Sequence, residues 1–452
     1  MKMSNTEALE KEPVGPLLIR LSAPAMAGMF LLSLYNVVDA FFVGRGVGPL
    51  GIAAVFILYP AVLVIMAIGQ TFGVGGASVI SRLLGAKRHA LAERALGTTL
   101  TSAAVAGLLL TAALLPATRR MVFLFGGSQD IIESSVAYGR VIFAGAMPYT
   151  MMMTMNNLVR GEGNTRLSMC SMAISAGTNM VLDPIFIFVF RWGVTGAAVA
   201  TVISQMLALA WLFSYYIGGR SAVALRVGKL KPSLPLLFEV LRVGVSAFTR
   251  QIGIAFAMGT MNKIFSSTGG DIAVAASGIV QRMNSIIIMP MIGMGHGLLP
   301  IVGYNYGARN AKRVADVMKI SNVFATIFCT ACSAVIFIFP TQLLGFFSSD
   351  PALLSVGVPG ARLLALGLPA GGGQIMLSTY YQGTGKGGIS FFLSMLRPIL
   401  LHPAMAVSFA LMFGLNGAWA SFPISEVVTA AITWLIYIKW RGLPQKEPTA
   451  AK

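Results

Sequence analysis

Long apolar stretches recur along the whole of this 452-residue chain and constrain its fold more than any other feature. Each covers about 20 residues or more, enough for a helix to cross the roughly 30 Å hydrocarbon layer of a bilayer. Lipid offers no hydrogen-bond partner to an open backbone, so segments of this length are typical of membrane helices. The approximate spans are 16–43, 51–78, 95–116, 134–158, 166–190, 194–218, 235–264, 272–300, 317–344, 354–381, 388–411 and 416–440.

The composition agrees with a surface that mostly faces lipid. Hydrophobic residues make up 56% of the chain and charged residues 11%, with a mean hydropathy of +0.78. A soluble domain carries about a quarter charged residues, and no polar stretch here is long enough for a soluble catalytic domain. The sequence therefore predicts an all-α polytopic membrane protein with twelve transmembrane helices.

The basic residues predict the orientation. With the N-terminus in the cytoplasm, 23 of the 33 Lys and Arg residues lie in or beside cytoplasmic segments, and four lie on the opposite side. This asymmetry predicts that both termini are cytoplasmic. It also accounts for the net charge of +18 through contact with anionic lipid headgroups, so we expect no nucleic-acid partner. The polar first fifteen residues do not resemble a signal peptide.

An internal repeat divides the chain into two halves. Gly85-Ala86-Lys87 matches Gly307-Ala308-Arg309, and Gly161-Glu162-Gly163 matches Gly383-Thr384-Gly385 at the same offset. Gly193 matches Gly414 at an offset shorter by one. Six spans per half is an even number, so the two halves enter the membrane from the same side and form a parallel repeat. Such halves pack around a central cleft, where alternating-access transporters bind their cargo.

The repeat gives a predicted domain organisation. A cytoplasmic tail and a cytoplasmic linker border the first six-helix lobe, and a second lobe leads into a second tail. The predicted segments are tail 1–15, N-terminal lobe 16–218, linker 219–234, C-terminal lobe 235–440 and tail 441–452.

Acids within the spans are the strongest candidates for chemistry. Asp39, Asp183 and Glu426 lie well inside predicted helices. An ionised carboxylate in the membrane costs several kcal/mol, so it must be protonated, paired with a cation or solvated by a cavity. Asp39 and Asp183 both fall roughly 7–12 Å below the outer surface at 1.5 Å per residue.

Other polar residues of the first half reach the same depth. Asn179 precedes Asp183 by four residues and Tyr35 precedes Asp39 by four, so each pair shares a helix face. Thr201 and Tyr138 are placed similarly, although either alone is also typical of simple helix packing. Two acids at one depth favour a functional site over simple helix packing.

The chain resembles the multidrug and toxic compound extrusion (MATE) family over essentially its whole length. The resemblance rests on the repeat, on Pro24 followed by YNVVDAFFVG, on SRLLGA, on the turn RGEGN and on TNMVLDPIFIF. Prokaryotic members export organic cations and amphipathic drugs in exchange for H⁺ or Na⁺. The resemblance thus implies a secondary active antiporter in a prokaryotic inner membrane, with drugs or toxic metabolites as cargo.

The resemblance also implies roles for particular residues. It maps a cation or proton site onto Asp39, Asn179, Asp183 and Thr201, and a bending point of the first helix onto Pro24. We expect Tyr35, Asn36 and Tyr138 to line this site or the cargo path. We expect no cofactor and no structural metal, a coupling H⁺ or Na⁺ at Asp39 and Asp183, and a functional monomer.

The C-terminal half departs from the family pattern. Some members carry a second cation site with carboxylates on helices 7 and 10, but this chain offers Arg250, Gln251 and Lys263 on helix 7 and no acid on helix 10. Glu426 on span 12 has two interpretations, a partner of Arg397 or Lys263 or a transport role.

Three other functional classes differ in the residues they require. A flippase for lipid-linked saccharides belongs to the same superfamily, and the in-span Arg250, Lys263, Arg282 and Arg397 keep it as an alternative. An enzyme would need a nucleophile–base pair or a motif such as H-E-x-x-H, which the sequence lacks, so we predict no enzymatic activity. A passive channel would not require two six-helix halves around a cleft.

Overall fold

The computed structural model describes residues 5–348 and 350–440, and the regular structure in these ranges is helical throughout. Helices are named α1 to α15 in chain order. Two π-helical turns, Ile185–Val189 and Leu396–Leu401, and one 3-10 turn, Val227–Lys229, accompany them. The helices are α1 (Asn5–Lys11), α2 (Val14–Val47), α3 (Pro49–Phe56), α4 (Tyr59–Gly85), α5 (His89–Leu124), α6 (Gln129–Ala144), α7 (Ala146–Gly161), α8 (Thr165–Pro184), α9 (Gly193–Ile217), α10 (Leu234–Gly307), α11 (Ala311–Ile338), α12 (Pro340–Gly345), α13 (Pro351–Gly383), α14 (Gly387–Met395) and α15 (His402–Trp440).

These helices supply twelve spans, which confirms the predicted number. Nine segments of the described ranges are long and apolar enough to cross a bilayer. Two of them hold two spans each, because α10 breaks at Gly270 (φ 65°, ψ −160°) and α15 breaks at Gly414 (φ 59°, ψ −139°). Glycine takes such positive φ values without steric strain. Helices α6 and α7 together form the remaining span.

Three predicted spans differ in detail from the observed helices. The segment predicted at 51–78 begins as a span at Tyr59, because α3 is a separate short helix that ends at Phe56. The segment predicted at 134–158 is interrupted at Gly145 between α6 and α7. The segment predicted at 317–344 ends at Ile338, and α12 follows as a single short helix.

The backbone itself repeats with the offset seen in the sequence. Several residues with positive φ in the first half have counterparts with positive φ in the second half, and one such pair is not glycine. The pairs are Gly48 and Gly270, Lys87 and Arg309, and Gly163 and Gly385, all at one offset, and Gly193 and Gly414 at an offset shorter by one.

Glycines allow the two halves to touch where α4 and α10 end. A Cβ atom on Gly85 would lie 1.9 Å from the carbonyl oxygen of Tyr304, and one on Gly307 would lie 2.0 Å from the carbonyl oxygen of Arg82. Gly85 corresponds to Gly307 and Arg82 corresponds to Tyr304 at the offset of the repeat, so the two contacts are equivalent, as a parallel repeat requires. Arg82 also forms an ion pair of 2.8 Å with Glu239 of the other half. We call this end of the molecule, predicted to be cytoplasmic, the basic end.

The predicted N-terminal tail contains a helix that docks on the second half at the basic end. Ala8 and Leu9 of α1 are fully buried. The Arg313 guanidinium donates hydrogen bonds to the carbonyl oxygens of Leu9 and Glu12 at 3.2 and 2.8 Å. The polar segment 1–15 is therefore folded from residue 5 onward, whereas the predicted tail 441–452 lies outside the described residues.

The predicted linker is tied to the first half through Glu162. This side chain, in the turn between α7 and α8, is fully buried and accepts hydrogen bonds from the Tyr215 hydroxyl and the Ala222 backbone N–H at 3.1 and 2.9 Å. Burial raises the pKa of the Glu162 carboxyl to about 7, although these hydrogen bonds favour the ionised form.

Candidate functional site

The two aspartates of the first half lie side by side. Asp39 is on α2, and Asp183 is on the last turn of α8 with no exposed surface. Their carboxyl groups are within hydrogen-bonding reach of each other. An ionised carboxylate only accepts hydrogen bonds, so a bond between the two requires one proton on the pair. The tertiary structure thus joins two acids that the sequence placed only at a common depth.

Close helix packing holds Asp183 in this position. Pro184 has no backbone N–H to continue the α-helical pattern, and the chain proceeds as the π-helical turn Ile185–Val189. A Cβ on Gly46 would lie 2.2 Å from a methyl group of Ile187, and one on Gly196 would lie 3.0 Å from the carbonyl oxygen of Phe186. These glycines let α2 and α9 approach the end of α8, which brings Asp39 and Thr201 toward Asp183.

Asn179 connects the acids to α9. Its side-chain amide donates to Asp183 Oδ1 at 3.1 Å and lies 3.4 Å from the Thr201 hydroxyl oxygen. Asn179 is fully buried, and Thr201 is 9% exposed. The spacing of four residues that predicted a shared helix face for Asn179 and Asp183 therefore corresponds to a direct contact.

Two tyrosines complete the surroundings of the acids. The Tyr35 hydroxyl is hydrogen-bonded to the Thr201 side chain, and Tyr35 lies within electrostatic range of Asp39 and Tyr138. Tyr138 on α6 is buried within range of both aspartates. Asn36 is on α2, but its side chain lies outside the described residues. Of the eight predicted site residues, six thus converge, and the remaining two are Asn36 and Pro24.

Three buried oxygen atoms of this cluster have no hydrogen-bond partner among the described groups. They are Asp39 Oδ1, Asn179 Oδ1 and Asp183 Oδ2. In the described ranges no Lys or Arg forms an ion pair with either aspartate. Buried oxygen acceptors without a donor are suited to a hard cation or a proton. We call Asp39, Asn179, Asp183 and Thr201 the acid cluster.

Pro24 lies just before the point where α2 passes from one half to the other, since a Cβ on Gly293 of α10 would still lie 2.6 Å from the Cα of Met26. Below it, the Ser22 hydroxyl donates to the carbonyl oxygen of Met294 at 3.4 Å, so this part of α2 contacts α10. Above it, a Cβ on Gly28 would lie 2.7 Å from the sulfur of Met172 on α8. Because proline removes one backbone hydrogen bond, the helix is weakest between these two contacts.

Comparison with known proteins agrees with this architecture. The MatE family model matches residues 24–185 and again residues 248–408, one match in each half. This chain belongs to the MATE family. The family predicted from the sequence motifs is therefore confirmed, and the repeat is visible in the two separate matches.

Relatives of this MATE chain resemble it from end to end. The multidrug export protein MepA of Staphylococcus aureus strain NCTC 8325 is 27% identical over 436 residues, which cover 96% of each chain. A solved structure described as the outward-facing conformation of a multidrug resistance MATE family transporter matches with a TM-score of 0.92 and 28% identity, over 98% of both chains. A MATE crystal structure in a bent conformation matches with the same score and identity, also over 98% of both chains. These similarities do not favour the alternative of a saccharide-lipid flippase.

The C-terminal lobe of this MATE chain has a different polar centre. Arg397, in the π-helical turn Leu396–Leu401, forms an ion pair of 2.7 Å with Glu426 of α15. Of the two partners that the sequence offered for Glu426, the structure thus selects Arg397, whereas Lys263 is exposed. Arg250 lies with this pair around a cavity of about 360 Å³. The sequence analysis did not predict this cavity. Its signal was the basic and acidic residues within the C-terminal spans, of which Arg250, Arg397 and Glu426 line the cavity.

Proposed function

We propose that this MATE chain is a secondary active multidrug efflux transporter that exports organic cations or amphipathic drugs in exchange for H⁺ or Na⁺. Its similarity to MepA, named a multidrug export protein, supports the multidrug activity. The acid cluster supports the exchange. The observation that carries the proposal is the group of three unpartnered buried oxygens around two touching carboxyl groups.

The acid cluster provides a site whose charge changes with loading. When both acids are empty and ionised, two like charges share a buried site at high electrostatic cost. One H⁺ or Na⁺ relieves that cost, because a proton can bridge the carboxyl groups and Na⁺ can bind the free oxygens of Asp39, Asn179 and Asp183. Loading from outside is thus favoured, and release follows when the site opens to the cytoplasm.

Helix α2, the first transmembrane helix, transmits this change to the cleft. Asp39 is on α2, and Pro24 lies just before the point where α2 leaves its contact with α10 and meets α8. A change in the position of Asp39 on loading therefore bends α2 at Pro24 and alters the contact between the lobes. For a cargo without net charge, one positive charge moving inward through 100 mV releases about 2.3 kcal/mol, enough for a roughly 50-fold cargo gradient.

The proposed orientation rests on the positive-inside pattern of the Lys and Arg residues. We propose that both termini are cytoplasmic in a bacterial membrane, so the basic end faces the cytoplasm. We also propose that one chain transports alone, because both lobes and the cleft between them belong to it.

The proposal is tested with the purified protein reconstituted into inverted (inside-out) vesicles. Ethidium uptake is measured under an imposed pH gradient and under an imposed Na⁺ gradient, side by side. The expected result is uptake driven by one of the two gradients, and uptake at the level of empty vesicles for Asp39→Asn and Asp183→Asn.

A matched control uses another aspartate. Asp271 is exposed beside the Gly270 break, so Asp271→Asn makes the same chemical change outside the acid cluster and should transport like the wild type. Wild-type rates in both cluster variants would contradict the assignment of the site. Absence of a response to either gradient in the wild type would contradict the exchange.

A further inference from the structure

A cavity of about 360 Å³ lies entirely within the C-terminal lobe. All of its lining residues fall between Arg250 and Glu426, on α10, α11, α13, α14, α15 and the π-helical turn Leu396–Leu401. Its apolar wall includes Met258, Met261 and Phe422. Cavities of this size, mostly apolar with a few polar groups, are typical of small-molecule sites.

The charged groups of the cavity do not balance. Arg397 and Glu426 neutralise each other, but Arg250 also lines the cavity and has no hydrogen bond or ion pair with any described residue. A guanidinium inside a span costs several kcal/mol unless an anion or water compensates it. The cavity therefore carries one positive charge in excess.

Further polar atoms around the cavity lack partners. Arg397 Nε, Asn284 Oδ1 and His402 Nε2 are buried, and none of them has a hydrogen-bond partner in the described part of the chain. Native proteins satisfy most buried polar atoms, so several unsatisfied ones in a single cavity indicate a ligand or water. The π-helical turn that carries Arg397 agrees with this, because such turns are frequent at functional sites.

Glycines of α13 shape the same cavity. A Cβ on Gly371 would lie 2.9 Å from Glu426 Oε1, and one on Gly367 would lie 3.3 Å from Glu426 Cβ. These two glycines leave the space that the Glu426 side chain occupies beside Arg397. Gly367 and Gly371 therefore have a specific role in the C-terminal lobe, which is to admit an ion pair to the cavity wall.

We propose that this cavity binds the carboxylate end of an amphipathic cargo, with Arg250 as the residue that selects for the carboxylate. The planar guanidinium presents two parallel N–H donors that match a carboxylate, and the methionines and Phe422 pack against the apolar part of the cargo. This inference rests on the proposed efflux function and names a class of its cargo. It distinguishes acid-bearing compounds from the purely cationic ones.

The test uses two dyes that differ by one methyl group. Rhodamine 110 has a free carboxylic acid, and rhodamine 123 is its methyl ester, so the second dye keeps the cation and the rings and loses the carboxylate. Binding to the purified full-length protein is measured by fluorescence polarisation. We expect Arg250→Gln to weaken rhodamine 110 binding by roughly 10-fold to 100-fold, the range for a hydrogen bond between charged groups. Binding of rhodamine 123 should change less than twofold.

Two further variants make the result specific. Arg282→Gln removes an exposed basic residue of the next span, beyond the Gly270 break, that does not line the cavity, and should leave both dyes unaffected. Arg250→Lys keeps the charge without the two-donor geometry and should recover part of the rhodamine 110 affinity. Unchanged binding of rhodamine 123 shows that Arg250→Gln is folded.

The results that would overturn the carboxylate site differ from those that would contradict the proposed exchange. Equal weakening of both dyes, no weakening of either, or no binding of rhodamine 110 by the wild type would each overturn the carboxylate site. Dye binding as expected, without any gradient-driven uptake of ethidium, would instead contradict the proposed exchange and leave the binding site in place.

Discussion

The two lobes repeat the same backbone but place opposite chemistry inside it. In the N-terminal lobe, Asp39 and Asp183 touch each other, and no basic residue pairs with them in the described ranges. In the C-terminal lobe, Glu426 is neutralised by Arg397, and Arg250 adds a second positive charge. Duplication of a fold therefore does not duplicate a site, because helix geometry depends on hydropathy and glycine placement, whereas the site depends on a few polar side chains.

This contrast suggests a division of labour. An uncompensated acid pair suits a small cation, and an uncompensated guanidinium beside a cavity suits the acidic end of a larger molecule. We infer that coupling belongs to the N-terminal lobe and selection among cargoes to the C-terminal lobe. The following predictions test this separation, beginning with the largest expected effect.

The strongest test measures both transport and dye binding in one variant of each lobe. Asp183→Asn should reduce gradient-driven ethidium uptake to background, because an amide cannot alternate between charged and neutral states. The same variant should bind rhodamine 110 within twofold of the wild type, since the cavity is lined by other residues. Arg250→Gln should show the reverse pattern. Loss of both readouts in either variant would show that the lobes do not act separately.

A second test concerns the stability of the ion pair in the C-terminal lobe. Glu426→Ala leaves Arg397, whose side chain is a quarter exposed, without its carboxylate and should destabilise the protein by about 1–3 kcal/mol. The double variant Arg397→Met with Glu426→Leu should recover most of this loss, because no unpaired charge remains. Thermal unfolding in detergent measures both. Additive losses in the double variant would show that the two side chains are not energetically coupled.

A third test uses the matched turns that carry Glu162 in the first half and Thr384 in the second. The pKa of Glu162 is raised from 4.5 to about 7, so its contribution to stability is fully present below pH 4.5 and is lost as the pH rises through 7. The melting temperature should thus fall by several degrees between pH 5 and pH 8.

Glutamine and serine variants isolate this effect. Glu162→Gln keeps the acceptor for Tyr215 and Ala222 but cannot ionise, so this part of the pH dependence should disappear. Thr384→Ser, in the equivalent turn, should keep the wild-type slope. An unchanged slope in Glu162→Gln would assign the effect to another group.

The smallest expected effect comes from the glycines of α13. Gly371→Ala places a methyl group 2.9 Å from the Glu426 carboxylate and should shift that group. Rhodamine 110 binding should then change by a few-fold. Gly278→Ala is the control, since a Cβ there meets no atom within 4 Å, and it should leave binding unaltered. Equal effects of the two alanines would remove the role given to Gly371.

Different parts of the molecule were predictable to different degrees. The twelve spans follow from apolar length, and the convergence of Asp39 with Asp183 was anticipated from their common depth along two helices. Asn179 was anticipated from its spacing of four residues. The interruption at Gly145 and the docking of α1 were not anticipated, because a glycine in an apolar run and a polar N-terminal segment each permit several local structures.

The cavity of the C-terminal lobe was the largest feature that sequence reasoning missed. Arg250, Arg397 and Glu426 lie on three separate segments of the chain, and no periodic spacing relates them. Glu426 therefore had two candidate partners, and the four in-span basic residues could not be divided into exposed and cavity-lining ones. In the structure Lys263 and Arg282 are exposed, while Arg250 and Arg397 face the cavity.

By itself, the amino-acid sequence determined the helical class, the number of spans and the repeat, because each span must satisfy its own backbone hydrogen bonds within lipid and must be long enough to cross it. Tertiary structure decided which polar side chains meet. Contacts such as Asp39 with Asp183 and Arg397 with Glu426 depend on how each helix is rotated and how closely glycines let neighbouring helices approach, and these depend on all the packed helices together.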